Sequence, residues 1–351
     1  MRATIYMVPS ARKHAGDQHQ KTCMWLSTVG LLLTLALGLL GVPWATDAQQ
    51  PVKRIGLLMN TSPPFEAALQ DSPFQQKLRE LGWQEGHNIV FERRYTEGQS
   101  ERLPALAAEL VRLRPDILVT GGTPGARAAQ QATTTIPIVL WGTGMLVEQG
   151  IVASLAQPGG NITGLETTAV GLSGKRVEIL KDVLPRLARV AYLYDGANPF
   201  YAFELPQLET DARALGVQLQ PVAVHVPDGF DAAFATMLAF RPDALLIGDD
   251  ATLFPHLRQI VGFATTHRLP TMGARKQAAE AGSLLAFGYS FGALRQRAAI
   301  YVDKILRGAR PGDLPIERPT TFELILNLKT AEALGITIPP LFLFRADEVI
   351  R

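Results

Sequence analysis

Short apolar runs alternate with amphipathic stretches along most of this chain, and this alternation is the strongest constraint on its fold. A short apolar run predicts a buried strand, and an apolar period of one helical turn predicts a helix packed on one face. Strands that are apolar throughout, each followed by a helix, form a parallel sheet covered on both faces. The sequence therefore predicts an α/β fold.

The alternation occurs in two separate blocks. The first block predicts strands at residues 54–60, 88–95, 116–120 and 136–142, with helices at residues 65–81, 103–111 and 121–133. The second block predicts strands at residues 189–195, 218–224 and 243–250, with helices at residues 175–184, 205–215, 230–240 and 254–267.

The chain is expected to pass between the blocks several times. Predicted crossings are residues 158–167, 283–290 and the strand that opens residues 322–335. We therefore expect two doubly wound parallel-sheet lobes joined by a hinge. The predicted first lobe is residues 52–160 plus 286–351, and the predicted second lobe is residues 161–285.

The N-terminal segment has the organisation of a secretory signal. Residues 26–42 carry no charge, basic residues precede them, and small residues occur at Thr46 and Ala48. This pattern predicts a signal peptide over residues 1–48, cleaved after Ala48. The alternative is a retained membrane anchor, because seventeen apolar positions lie at the short end of a bilayer span.

Composition excludes several classes of chemistry. Cys23 is the only cysteine and precedes the apolar segment, so the exported chain would have no disulfide, thiol nucleophile or cysteine-ligated metal. The six histidines show no metal-binding spacing, so no metal or cofactor is expected. The net charge is +2 with scattered basic residues, which indicates no nucleic-acid partner.

A family resemblance covers nearly all of residues 52–351. The segments that carry it are GWQEGHNIVFERRYTEGQSERLPALAAELVRLRPDILVTGGTPGA, TIPIVLWGTG, IVASLAQPGGNITGL, SGKRVEILK, AAIYVDKILRGARPGDLPIE and FELILNLKTAEALGITIPPLFLFRADEVI. They resemble the ABC transporter substrate-binding proteins related to tryptophan and tyrosine uptake systems. The resemblance implies a type I periplasmic binding (Venus-flytrap) fold, a periplasmic location, a small-molecule solute and an ABC permease with its ATPase as partner. We expect a monomer without enzymatic activity.

Candidate ligand contacts follow from the sheet architecture. In open parallel sheets, ligands bind outside the carboxyl ends of the strands. Residues directly after predicted strands, or after the later crossings, are therefore the candidates: Thr61, Gly122, Thr123, Trp141, Thr143, Asn198, Asp250 and Tyr289, with Arg275 as a further cleft residue.

The first-lobe candidates each have two interpretations. Thr123 can cap a helix whose first residue is Pro124, and the free N–H groups behind it can hold a carboxylate or phosphate. The same residues also suit an ordinary helix start. Trp141 either offers its ring to the ligand or packs between strand and helix, and Thr61 is either a ligand contact or a turn former.

The second-lobe candidates suit an amino-acid head group. Asn198 offers a donor and an acceptor, although asparagine before Pro199 also opens turns. By resemblance, Asp250 matches the aspartate of the family's Thr-Asp-Asn-Thr pattern, so we expect Asp250 to face the ligand and Asp249 to cap a helix.

Two departures from the family pattern put an aromatic amino acid ligand in doubt. Met145-Leu146 stands where many relatives have Asp-Pro, and Ala251 replaces an asparagine. The resulting pocket is less polar, which leaves a differently charged or more apolar solute open.

Two other functions fit a two-lobed chain. A glycosyl or nucleotide-sugar enzyme would need a base or nucleophile at the cleft, yet His225, His256 and His267 have no paired serine or aspartate at a strand end. A ligand-sensing domain would need an output segment, and none follows Arg351.

Overall fold

A computed structural model describes residues 51–61, 72–167 and 171–351. The predicted signal peptide, residues 1–48, lies outside these ranges, and so does the first part of the helix predicted at residues 65–81. No helix within the three ranges combines the length and the apolarity needed to cross a bilayer.

The first sheet has five strands, all parallel, in the order β2-β1-β3-β4-β5. Its strands are β1 (Lys53–Met59), β2 (Ile89–Tyr95), β3 (Ile117–Thr120), β4 (Ile138–Thr143) and β5 (Ile162–Glu166). The helices between them are α1 (Pro73–Glu80), α2 (Leu103–Arg112), preceded by a 3-10 turn at Ser100–Arg102, and α3 (Gly122–Ala132).

The second sheet has seven strands in the order β12-β11-β10-β9-β8-β6-β7. Its strands are β6 (Arg189–Asp195), β7 (Gln218–Val224), β8 (Ala244–Ile247), β9 (Thr271–Gly273), β10 (Leu285–Tyr289), β11 (Phe322–Asn327) and β12 (Glu348–Ile350). The order β7-β6-β8-β9-β10 repeats that of the first sheet, and these strands are parallel. β11 is antiparallel to β10.

Helices cover both sheets. The remaining ones are α4 (Leu172–Val183), α5 (Tyr201–Ala214), α6 (Phe230–Phe240), α7 (Leu257–Thr266), α8 (Lys276–Glu280), α9 (Phe291–Leu306), α10 (Leu328–Leu334) and α11 (Pro340–Arg345), with 3-10 turns at Phe254–His256 and Pro311–Asp313. Every residue of β3 and of β8 is buried, as expected for central strands packed on two faces. The predicted fold class is confirmed.

The assignment of residues 286–351 to the first lobe is wrong for most of this segment. α9 packs on the first sheet, where Leu294, Ala298 and Val302 share a hydrophobic cluster with Ile55 and Val139. β10, β11 and β12 instead belong to the second sheet. The physical reason is that β10 extends the second sheet beside β9, so the chain crosses after this strand and returns before β11.

Gly164 in β5 sets the spacing between this strand, at the end of the first sheet, and β4. Its φ is +131°, and a methyl group there would overlap the carbonyl oxygen of Leu140 on β4. Such a backbone angle is strained for any residue with a Cβ, and the neighbouring backbone cannot move without breaking the ladder.

We expect Gly164→Ala to lower the free energy of unfolding by about 2–4 kcal/mol, from the combined strain and overpacking. Gly262→Ala is the matched control, because a Cβ at this exposed position in α7 meets no atom within 4 Å. The control should be neutral or stabilising by up to about 1 kcal/mol. Urea unfolding of both variants measures this, and equal effects would contradict the assigned role of Gly164.

Candidate functional site

A cavity of about 120 Å³ lies where the carboxyl ends of strands from both sheets meet. The residues that follow β1, β3, β4, β6, β8 and β9 line it, together with the start of α9. It is smaller than the roughly 150 Å³ apolar cavity that accepts a benzene molecule. In this arrangement of the lobes the cavity therefore suits only a small solute.

Seven of the eight predicted site residues line this cavity, and one does not. The seven are Thr61, Gly122, Thr123, Trp141, Thr143, Asn198 and Asp250. Tyr289 is instead 2% exposed in the hydrophobic cluster that contains Leu294, and its ring centroid lies 5.1 Å from that of Phe322. The side chain at the end of β10 thus contributes to the core rather than to the cavity wall.

The start of α3 differs from the predicted one. Gly121, not Thr123, is the N-cap, and no side chain caps the helix. The Thr123 hydroxyl accepts a hydrogen bond from Gln149 Nε2 at 3.0 Å. A Cβ at Gly121 would overlap the indole of Trp141, so glycine lets the ring lie against the start of the helix. The N-terminus of α3 therefore faces the cavity without a side-chain cap, as an anion site requires.

Trp141 both packs in the core and supports a charged group. Its ring meets that of Phe74 edge to face, with centroids 5.8 Å apart. On the cavity side, the guanidinium carbon of Arg295 lies 3.6 Å from the indole centroid. The packing interpretation of Trp141 accounts for these contacts: the ring lies in the core and carries an arginine on its face.

The sequence analysis did not identify Arg295 as a site residue. Among the described residues, it is the cation of the cavity that has no anionic partner. It makes no hydrogen bond or ion pair with any residue in the described part of the chain, whereas Arg297 on the same helix pairs with Glu317. Burial, together with repulsion from Arg275, lowers the pKa of Arg295 to about 9. The group remains a cation at neutral pH. Only the packing of α9 separates Arg295 from Arg297, so sequence pattern alone could not distinguish them.

Arg275 lines the opposite wall and is held on three sides. Its guanidinium carbon lies 3.7 Å from the ring centroid of Phe254 and 3.3 Å from that of Phe291. Its Nε donates to Asp249 Oδ1 at 2.8 Å. Burial lowers the pKa of Arg275 to about 10, and the Asp249 carboxylate opposes that shift. Asp249 and Arg275 therefore neutralise each other.

The capping role predicted for Asp249 belongs to Asp250, which also lines the cavity. Asp250, expected to face the ligand freely, accepts from Asn198 Nδ2 at 2.7 Å and from the backbone N–H of Thr252 at 3.0 Å. It thereby caps its own turn, whereas Asp249, expected to cap, bonds Arg275. Asn198 is also engaged, because its Oδ1 accepts from the N–H of Phe200.

Burial, together with the nearby Asp195 carboxylate, raises the pKa of Asp250 to about 6. The Thr252 hydroxyl lies 2.8 Å from an oxygen of each aspartate. A hydroxyl has one proton, so it can donate to only one carboxylate at a time. A proton on the other carboxylate would complete this pair of hydrogen bonds, which agrees with the raised pKa of Asp250.

Two hydroxyl groups of the cavity wall are without partners. Thr61 Oγ1 and Thr143 Oγ1 are buried and make no hydrogen bond with any residue that the structure describes. The two side chains are 6% and 1% exposed, respectively. Buried polar atoms are nearly always paired in folded proteins, so a hydroxyl left open in a cavity indicates a group supplied from outside.

The positions that depart from the family pattern supply apolar side chains, or polar groups that already have a hydrogen-bond partner in the protein. Leu146 is fully buried in the first lobe's core, and its N–H donates to Glu166 Oε2 at 2.8 Å. Met145 packs against the hydrophobic cluster of the second lobe, and Ala251 lines the cavity without a polar group. Further apolar wall comes from Phe200, which the sequence did not single out.

We expect Asp250 to make the free energy of unfolding fall between about pH 4 and pH 6. Its folded pKa lies above the ordinary 3.8, so the stabilisation is complete below pH 4 and is lost as pH rises through about 6. The shift corresponds to about 3 kcal/mol. Asp250→Asn should remove this slope, and Asp228→Asn, at an exposed position, should keep it. Urea unfolding across this range measures the difference; parallel profiles for wild type and Asp250→Asn would contradict it.

Comparisons with known proteins agree with this architecture. A structure of a conserved domain protein from Vibrio cholerae has a TM-score of 0.79 and 27% identity, covering 85% of this chain and 99% of that one. The ABC domain in complex with L-Trp from Streptococcus pneumonia has a TM-score of 0.78 and 23% identity, with the same coverage. A tyrosine-binding protein of Clostridioides difficile is 24% identical over 264 residues, which is 75% of each chain.

The sequence profile described as "ABC transporter substrate binding protein" matches residues 67–350. This range includes α1 to α11 and all strands except β1. The chain belongs to the family of ABC transporter substrate-binding proteins.

Proposed function

We propose that this protein captures a small organic solute outside the cytoplasm and delivers it to an ABC permease with its ATPase. The observation that carries the proposal is a cavity walled by both lobes. Thr61, Thr143 and Arg295 come from the first lobe, and Asn198 and Asp250 from the second. A solute in this cavity contacts both halves at once, so its binding is linked to their relative position.

The lobes close because the solute makes more contacts in the closed form than in the open form. A solute that touches both lobes binds the closed form more tightly than the open form and shifts the population toward it. The Arg275 guanidinium, on the second lobe, stacks on Phe291 at the start of α9 and so adds a protein contact across the cleft. The closed form is then the shape that a permease can distinguish from the empty protein.

The solute is proposed to be amino-acid-like or another small organic molecule. Two relatives are described as a tyrosine-binding protein and as a domain in complex with L-Trp. The proposed contacts are Thr61, Gly122, Thr123, Trp141, Thr143, Asn198 and Asp250, with Arg275 and Arg295 added from the cavity wall. The protein would act as an exported monomer.

Binding without chemistry suits the charged groups of the cavity. Asp249 is paired with Arg275, and both oxygens of Asp250 already accept hydrogen bonds. Neither carboxylate is poised as a free general base. His256 stacks on Phe230 and His267 bonds the carbonyl of Phe263, so both are engaged elsewhere in the second lobe.

Solute binding should close the lobes. Native mass spectrometry of the purified protein identifies any retained small molecule, and X-ray scattering then compares the emptied protein with the reloaded one. We expect a smaller radius of gyration in the loaded state, because the lobes approach each other around the solute. An unchanged profile at saturation, or turnover of the solute, would contradict the proposal.

Thr143→Val should separate binding from stability. The Thr143 hydroxyl has no partner in the described protein, so removing it should leave the free energy of unfolding unchanged or raise it by about 1 kcal/mol. If the hydroxyl bonds the solute, affinity should fall about tenfold. Thr163→Val is the matched control, because the Thr163 hydroxyl donates to the carbonyl of Leu314 away from the cavity. The control should lose stability and keep affinity; unchanged affinity of Thr143→Val would remove Thr143 from the site.

A further inference from the structure

The charge balance of the cavity leaves one cation uncompensated. Among the described residues, four ionisable side chains line the cavity: Asp249, Asp250, Arg275 and Arg295. Asp249 and Arg275 form a pair with N–O distances of 2.8 Å. Arg295 makes no ion pair with any residue in the described ranges; its recorded contact is the face of Trp141. The desolvation of an arginine in a low-dielectric cavity without a carboxylate costs free energy, unless an anion binds to it.

The carboxylates that line the cavity among the described residues already have partners in the protein. Both oxygens of Asp250 accept from protein donors, one from Asn198 and one from Thr252. Asp249 Oδ1 already accepts from both Nε and a terminal nitrogen of Arg275. Ala251 and Leu146 supply no anionic side chain. A solute with a free amine would therefore have to share a carboxylate that protein donors already engage.

Three further features favour an anion near Arg295. The start of α3 lies at the cavity and carries no side-chain cap, so its N–H groups are available there. Thr61 Oγ1 and Thr143 Oγ1 are buried, line the cavity and have no partner among described residues. Hydroxyl and N–H donors beside a guanidinium match the acceptor oxygens of a carboxylate.

We infer that the solute is a carboxylate without an ammonium group, bound with its carboxylate on Arg295 and an apolar body among the aromatic walls. This inference rests on the proposed transport function and narrows it to organic-acid anions. The body is small, because the cavity measures about 120 Å³ in this arrangement of the lobes. The aromatic rings of Trp141, Phe200 and Phe254 line the space that it would occupy.

Matched solutes test the inference directly on the full chain. The aromatic set is 3-phenylpropanoate, L-phenylalanine and 3-phenylpropanamide, and the aliphatic set is 4-methylpentanoate, L-leucine and 4-methylpentanamide. Members of each set share one carbon skeleton and differ in the amine or in the carboxylate charge. We expect titration calorimetry to give the amine-free carboxylate at least about tenfold tighter binding than both the amino acid and the amide of its set.

Arg295→Gln should weaken binding of the preferred carboxylate by about 10- to 100-fold and leave binding of the matched amide unchanged. Arg295→Lys keeps the charge and should recover part of the affinity. Arg297→Gln is the control, since Arg297 lies on the same helix but pairs with Glu317 outside the cavity. This control should bind as wild type does. The series on the wild-type protein tests the inference even if Arg295→Gln fails to fold.

The possible outcomes separate the two proposals. If an amino acid binds as tightly as its amine-free partner and closes the lobes, the transport function stands and the inference is overturned. Unchanged carboxylate affinity in folded Arg295→Gln also overturns it. If no member of either set binds, the inference fails; if, in addition, native mass spectrometry detects no retained solute, the proposed function loses its support as well.

Discussion

The parallel arrangement of strands in both sheets is the constraint on which the site depends. Parallel strands end at one edge, so the turns after β1, β3 and β4 converge in the first lobe, and those after β6, β8 and β9 converge in the second. The order β7-β6-β8-β9-β10 repeats β2-β1-β3-β4-β5, which gives both lobes the same kind of edge. A cleft lined by polar turns therefore follows from strand order before any side chain is considered.

Burial of the polar turns then determines which of their charged groups need a partner within the protein. A charged group in a narrow cleft loses hydration and must be compensated by a neighbour. Arg275 meets this requirement with Asp249 and two aromatic rings, and Asp250 meets it with Asn198 and Thr252. These internal partners hold the second-lobe wall in one arrangement. They also leave both carboxylates engaged with protein donors before a solute binds.

The sequence predicted the fold class and most of the cavity wall because both depend on periodicity and strand ends. It could not assign Tyr289, since only the packing of α9 decides that this side chain joins the core. The misassigned capping role of Asp249 has a similar origin. Adjacent residues in a turn point in different directions, and composition does not encode which of Asp249 and Asp250 meets Arg275. The lobe boundary was misplaced because a strand that extends one sheet and a strand that crosses to another have the same apolar pattern.

Arg295 is the clearest example of a site residue that the sequence pattern does not reveal. Its position in α9 resembles that of Arg297, yet one guanidinium stacks over Trp141 in the cavity and the other pairs with Glu317 outside it. A site discriminates most strongly through groups that a wrong ligand leaves unpaired, because a buried unpaired charge is penalised more than a lost contact. In this cavity the unpaired protein charge is positive and the negative charges are internally satisfied. Selectivity therefore arises on two sides: a solute without an anion leaves Arg295 uncompensated, and a solute with an ammonium group loses its own hydration and gains only a carboxylate that the protein already engages.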